Sequence, residues 1–153
     1  MPKKERACCF VGAEVLFGED LASLTGRVVA ELENLLEQGV DTFYSGAMPG
    51  FDLLCAAVVA EMKKQYPGIS LVFLPPCRGW ERRLHGGWSD LYRQILPLAV
   101  RASYTVKPKT TRCVRVRNEK MLKRSGTVIA HCPHMWDMGR ECIESCEANV
   151  IEV

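Results

Sequence analysis

The sequence lacks several features that would assign a function at once. It has no internal repeat and no low-complexity tract, and no apolar run approaches the roughly 20 residues that span a bilayer. The basic start leads into an apolar run too short for a signal peptide, so we expect a cytoplasmic protein with no membrane partner. The formal net charge of +2 on 153 residues is too small to predict nucleic-acid binding from bulk electrostatics.

The usual catalytic and metal-binding signatures are also absent. No serine lies in a GxSxG elbow, and no CxxC knuckle is present. His131, Cys132, His134, Cys142 and Cys146 cluster near the end, but the first two are neighbours on a predicted strand and therefore point to opposite faces. We predict no metal site. Most of the eight cysteines lie in apolar runs, as reduced buried thiols do, so no structural disulfide is expected.

What the chain does have is a regular alternation of apolar runs and helical periodicity. Strand-like runs cover residues 7–12, 41–45, 69–74, 102–106, 127–132 and 149–153. Helical patterns cover residues 21–36, 51–66, 88–101, 111–125 and 139–147. This order predicts a single Rossmann-like three-layer α/β domain over residues 1–153, with a mostly parallel sheet and helices on both faces. Residues 77–87, which are rich in arginine and glycine, are predicted to form a mobile flap.

The stretch SGAMPGFD, residues 45–52, joins a predicted strand to a predicted helix. A glycine-rich turn at a helix N-terminus can present backbone NH groups to a phosphate, which makes Ser45, Gly46 and Gly50 candidate ligand contacts. The alternative is an ordinary turn in which the glycines only permit the bend. Asp52 either accepts hydrogen bonds from a ribose or caps the helix.

Further candidates follow from the expected fold, because ligands of such sheets lie beyond the carboxyl ends of the strands. Glu14 could orient a sugar or act as a general base, and the alternative is a solvated loop carboxylate. The arginines at the start of the basic helix could bind phosphate, and the alternative there is a solvated basic face. The additional candidates on this edge are Gly12, Glu14, Arg78, Arg112, Arg117 and Asn118.

Several segments together resemble one known family. They are CCFVG, SGAMPGFDLLCAAVVAEMKKQYP, PPCR, WSDLYRQIL and CVRVRNEKMLKRSGTVIA, spread over about residues 8–130. They resemble the YoqJ/YpsA-like family of the SLOG superfamily, which also contains the LOG-type nucleotide phosphoribohydrolases and DNA-processing protein A. The resemblance implies a Rossmann-like domain that binds a nucleotide or a nucleotide-derived ligand.

The resemblance also implies roles for individual residues. The family's glycine-rich turn falls on Ser45, Gly46, Gly50 and Asp52, and its RN-x-x-M signature falls on Arg117, Asn118 and Met121. In LOG-type hydrolases, the arginine at a position like Arg117 takes part in N-glycosidic cleavage.

Two parts of the family pattern are changed in this chain. Residues 11–14 read VGAE where relatives have a Thr-Gly-His-Arg signature, and residues 138–140 read MGR where relatives have a GGT-type turn. Glu141 and Glu144 lie near the position of the LOG-type catalytic glutamate but out of register. Together with Arg117 they are the catalytic candidates that the resemblance implies.

The leading hypothesis is a cytoplasmic domain that binds a nucleotide-derived small molecule and requires no cofactor. Its phosphate is expected at residues 46–50 and 112–118, with the base or sugar covered by the 77–87 segment. One alternative is a LOG-like nucleoside 5′-monophosphate phosphoribohydrolase. Another is a non-catalytic interaction module for protein or nucleic acid, with nucleic acid not favoured as a partner. A homodimer is the expected assembly.

Overall fold

The computed structural model describes residues 1–102 and 112–153. The strands are β1 (Ala7–Gly12), β2 (Thr42–Ser45), β3 (Ser70–Phe73), β4 (Val100–Arg101), β5 (Thr127–His131) and β6 (Asn149–Glu152). The helices are α1 (Leu21–Glu37), α2 (Phe51–Met62), α3 (Gly86–Ile95), α4 (Cys113–Arg124) and α5 (Gly139–Glu144). Short 3₁₀ helices cover Trp80–Arg83 and Leu96–Leu98. Within the described ranges, no helix is both long and apolar enough to cross a bilayer.

All six strands pair in parallel, in the order β4-β3-β2-β1-β5-β6. The chain runs outward from β1 to β4 and then returns to place β5 on the other side of β1. The strand order therefore reverses between β1 and β5, whose last paired residues are Gly12 and His131. Such a switch point opens a crevice at the carboxyl ends of the two strands. The predicted Rossmann-like fold is confirmed.

Helices cover both faces of the sheet, as the sequence predicted. Along β1, Cys8 and Phe10 belong to the core shared with α1, α2 and α3. The intervening Cys9 and Val11 belong to a second core that contains residues of α4 and α5. Because successive side chains of a strand point to opposite faces, this alternation shows that β1 is buried on both sides.

The first helices show how local sequence sets the element boundaries. The carboxylate of Asp20 accepts a hydrogen bond from the Ser23 amide at 3.1 Å and caps α1. Gly39 follows the helix with a φ of +92°, a conformation that glycine adopts at little cost. In contrast, α2 is apolar nearly all round, because it packs against α1, α3 and the sheet at the same time.

Residues 77–87 form an anchored part of the core, and the predicted mobile flap is wrong in this respect. Trp80 and Leu84 are buried, and Trp80 Nε1 donates to the carbonyl oxygen of Ala47 at 3.2 Å. The 3₁₀ helix places these two apolar side chains on the inner side of the segment, while Arg82 and Arg83 remain exposed.

Other differences from the prediction concern boundaries. Pro97 lies in the 3₁₀ helix that follows Ile95, so α3 ends before the predicted residue 101. The fourth strand was predicted at residues 102–106, whereas β4 covers Val100–Arg101, just before that range. The rest of that predicted strand, from residue 103, and the predicted first residue of the basic helix, residue 111, lie outside the described residues.

The interior of α1 offers a direct test of the helix assignment. Gly26 is exposed, and a Cβ built there would meet nothing within 4 Å. We expect Gly26→Ala to raise the free energy of unfolding by about 0.5–1 kcal/mol, because alanine loses less backbone entropy in a helix. Urea denaturation measures this change. Gly12→Ala is the contrasting variant, since its Cβ would lie 2.8 Å from the His131 carbonyl oxygen. A loss of stability in Gly26→Ala would contradict the assignment.

Candidate functional site

A cavity of about 230 Å³ lies at the switch point, between the loops that follow β1 and β5 and the beginning of α4. We call it the switch-point cavity. Five predicted ligand residues line it: Gly12, Glu14, Asp52, Arg117 and Asn118. Its outer wall comes from the loop after β5, through His134, Trp136, Asp137, Met138 and Gly139. The structure thus brings together residues that lie more than a hundred positions apart in the chain.

Arg117 is the structural centre of this region and is only 1% exposed. Its Nη1 donates to the carbonyl oxygens of Gly46 at 2.7 Å and Leu74 at 3.2 Å. Its Nε donates to Oδ1 of Asn118 at 2.9 Å. A guanidinium has five N–H donors and no acceptor, so these carbonyls at the ends of β2 and β3 hold it in one orientation. The side chain joins α4 to the carboxyl edge of the sheet.

The glycines of the 45–52 bend have packing roles. A Cβ at Gly46 would lie 2.7 Å from Nη2 of Arg117 and nearer still to Nη1 and Cζ, so a side chain there would displace the guanidinium. Gly50 has a φ of +83°, and its Cβ would lie 2.5 Å from the carbonyl oxygens of Ala13 and Glu14. Both positions therefore require glycine because of protein neighbours.

Two backbone amides of this bend, those of Ala47 and Phe51, donate to protein oxygens and do not point outward as a phosphate-binding turn would require. The Ala47 amide donates to Oγ of Ser45 at 3.3 Å, and the Phe51 amide donates to the Ala13 carbonyl at 2.9 Å. Ser45 Oγ in turn donates to the Asp52 carbonyl at 2.9 Å, and Ser45 is fully buried. The N-terminus of α2 is covered by the loop after β1, so the bend supports the cavity from below.

The walls of the cavity are acidic. Asp52 is 4% exposed, and its Oδ2 lies 3.8 Å from Arg117 Nη2. Burial raises the pKa of Asp52 to about 7, against the opposing effects of Arg117 and of a hydrogen bond from the Met48 amide. Burial also raises the pKa of Glu14, and the nearby Asp137 carboxylate adds to the increase while Arg117 opposes it. Three carboxyl groups around one guanidinium suit a ligand group that donates hydrogen bonds, such as a hydroxyl, better than a phosphate.

A second concave surface adjoins the cavity on the far side of the loop after β5. We call it the arginine groove, and its volume is about 620 Å³. Arg112, Arg115 and Arg140 line it, and it shares Trp136 and Met138 with the cavity. Arg115 forms ion pairs with Glu119 at 3.2 Å and Glu141 at 3.3 Å, whereas Nη1 of Arg140 donates to the Cys132 carbonyl at 2.8 Å.

Other predicted residues lie away from the cavity. Arg78 is exposed in the 77–87 segment and lines neither concave surface. Glu141 lines the arginine groove and pairs with Arg115, and Glu144 is exposed on α5. Neither glutamate lines the cavity beside Arg117, so the structure does not assemble the predicted catalytic candidates. The described residues contain no group of three or more His, Cys, Asp and Glu side chains placed to hold a metal ion.

Sequence reasoning missed the aromatic wall of this site. The rings of His134 and Trp136 stack with centroids 4.4 Å apart and an interplanar angle of 5°, yet Trp136 remains 75% exposed. The available signal was a tryptophan between two methionines in a strand-to-helix loop at the carboxyl edge of the sheet.

Comparisons with known proteins agree with the fold. The family model YpsA, described as the YspA SLOG family, matches residues 19–132. No curated protein matches the chain. Among solved structures, the chain is similar to the X-ray structure of DNA processing protein A (DprA) from Streptococcus pneumoniae, with a TM-score of 0.56 and 12% identity. That alignment covers 97% of this chain and 59% of the DprA chain, so this chain spans well under two thirds of its length.

The space around Gly46 gives the first prediction for the site. We expect Gly46→Ala to lower the free energy of unfolding by at least about 1–3 kcal/mol, because the added methyl overpacks the buried guanidinium. Chemical denaturation measures the loss. The matched control is Gly68→Ala, whose Cβ would meet nothing within 4 Å and which should stay within about 0.5 kcal/mol of the wild type. Equal stabilities of the two variants would refute the packing role of Gly46.

The burial of Asp52 gives a second prediction for the site, on how stability depends on pH. Its pKa is about 7 in the folded chain against 3.8 for the free side chain, so the folded state binds more protons between these values. The wild type should therefore lose stability relative to Asp52→Asn as the pH rises from about 4 to about 7, with no further change above. At about 1.4 kcal/mol per pKa unit, the loss is of the order of a few kcal/mol. Urea denaturation of both proteins across this range measures it, and a constant difference would show that Asp52 does not titrate there.

Proposed function

The chain belongs to the YpsA family of SLOG proteins, and from this premise we propose that it binds a nucleotide or nucleotide-derived small molecule in the switch-point cavity. Membership of the SLOG group is consistent with a role related to nucleotides or nucleic acids. The observation that carries the proposal is the convergence of Glu14, Asp52, Arg117 and Asn118 on one cavity at the switch point.

The polar groups of the cavity fit a sugar. Carboxylates of Glu14 and Asp52 accept hydrogen bonds from vicinal hydroxyls. Because Oδ1 of Asn118 accepts from Arg117 Nε, the amide is oriented and its Nδ2 is the donor on the other side. A ribose supplies both the donors and the acceptors that such a set requires.

The phosphate belongs at the beginning of α4 in this proposal, because the Ala47 and Phe51 amides of the 45–52 bend already donate to protein oxygens. Val114 lines the cavity, and Arg112 and Arg115 line the adjoining groove. The start of a 12-residue helix carries partial positive charge, which adds to that of the two guanidinium groups. The predicted contribution of Arg112 is kept, whereas Arg117 acts by holding Asp52 and Asn118 in place.

Binding can be tested with a panel of AMP, GMP, CMP, UMP, NAD and ADP-ribose. We expect at least one of them to raise the melting temperature of the wild-type protein, because a ligand that binds only the folded state stabilises it. Glu14→Gln should weaken that ligand's affinity roughly tenfold or more, since a hydrogen bond to a charged acceptor contributes about 1.5–3 kcal/mol. Isothermal titration calorimetry measures the affinity.

The matched control is Glu33→Gln, an exposed carboxylate on α1 away from the cavity. This variant should bind like the wild type. Absence of any shift across the panel would overturn the proposal. Affinity for single-stranded oligonucleotides alone, falling steeply with salt, would support the nucleic-acid-binding alternative in its place.

A further inference from the structure

The loop after β5 presents an aromatic ring in a fixed orientation. The His134 amide donates to Oδ2 of Asp137 at 2.8 Å, and the Asp137 amide donates to the His134 carbonyl at 3.1 Å. These two hydrogen bonds close the turn that carries Trp136. One face of the indole rests on the His134 ring, and 75% of the tryptophan is exposed, so its opposite face is open to solvent.

Large apolar side chains are exposed on the loops after β1 and β5, and Val15, Trp136 and Met138 among them line the cavity. Val15 and Phe17 on the loop after β1 are 65% and 97% exposed, and Met135 and Met138 beside Trp136 are 84% and 52% exposed. Both loops leave the sheet at the switch point. Large apolar side chains that stay in water around the rim of a polar cavity are typical of ligand contact surfaces.

The cavity is large enough for only part of a nucleotide. At about 230 Å³ it is smaller than the roughly 300–1,000 Å³ of pockets that enclose a whole small molecule. A sugar fits inside and the base of a nucleotide must lie outside. Trp136 lines both the cavity and the arginine groove, as Asp137 and Met138 also do, and it is the aromatic residue of the three.

We propose that Trp136 is the stacking platform for the nucleobase, and that the ligand is consequently a nucleotide with its base rather than a sugar phosphate. This inference rests on the proposed function of the switch-point cavity. A flat ring already stacked on one side offers its other side to another flat aromatic group. Because the Trp136 ring adjoins the polar cavity, a nucleobase is a better partner for it than an unrelated protein segment.

The test compares Trp136→Ala and Trp136→Phe with the wild type by calorimetry. The probes are the nucleoside 5′-monophosphate that binds most tightly among AMP, GMP, CMP and UMP, and ribose 5-phosphate as its base-free counterpart. We expect Trp136→Ala to weaken the nucleotide roughly 5- to 100-fold, as the loss of a base–aromatic stack does, and to weaken the binding of ribose 5-phosphate far less. Trp136→Phe should retain most of the nucleotide affinity.

The control is Tyr66→Ala, an exposed aromatic residue beyond the far end of α2, which should bind both probes like the wild type. If Trp136→Ala weakens both probes equally, or binds the nucleotide as tightly as the wild type, the platform is refuted and the cavity proposal stands. If the wild type binds no nucleotide, both proposals fail. Glu14→Gln separates the two further, because it should weaken ribose 5-phosphate and nucleotide alike.

Discussion

The buried guanidinium of Arg117 is the interaction on which the edge of this domain depends. It is 1% exposed and bonds the carbonyls of Gly46 and Leu74, which end two neighbouring parallel strands. A charge in this position is tolerated only because its donors are matched by carbonyl and carboxylate oxygens, including Oδ2 of Asp52 at 3.8 Å. Removal of one partner from such a network typically costs about 3–5 kcal/mol. The positions of Asp52 and Asn118 in the cavity follow from this anchor.

The same anchor determines the chemistry of the cavity. Nη1 and Nε of Arg117 donate to protein oxygens, so the side chain orients Asn118 and adds its charge to the site. The surface offered to a ligand is then mainly carboxyl and amide, and the cationic side chains lie outside, at Arg112, Arg115 and Arg140. A molecule with hydroxyls in its middle and a phosphate and an aromatic base at its ends matches this division. In a simple phosphate-binding turn, the hydrogen-bond donors and positive charges would face the cavity and the carboxylates would not.

The fold was predictable from sequence because its signals are local. The apolar run 7–12 and the periodicity of α1 need no partner to be recognised, and parallel order follows from their alternation. For the switch-point cavity, the sequence predicts a set of residues that the structure brings together, namely Glu14, Asp52, Arg117 and Asn118. Their binding of a ligand stays a prediction. The role of each residue was not predictable from the sequence. Whether the Ala47 and Phe51 amides are hydrogen-bonded within the protein depends on the folded arrangement of the chain. Trp136 was missed since exposure of an aromatic ring is a property of the folded surface.

The fit of Gly46 against Arg117 also has a consequence for how this sequence can change over evolutionary time. The volume that a side chain at position 46 would need is the volume that the guanidinium fills. A larger residue at 46 is accommodated only if 117 becomes shorter, and a shorter residue at 117 leaves a void and unpaired carbonyls unless 46 grows. A single substitution at either position gives a less stable protein. The two positions, which are 71 residues apart, are therefore expected to change together.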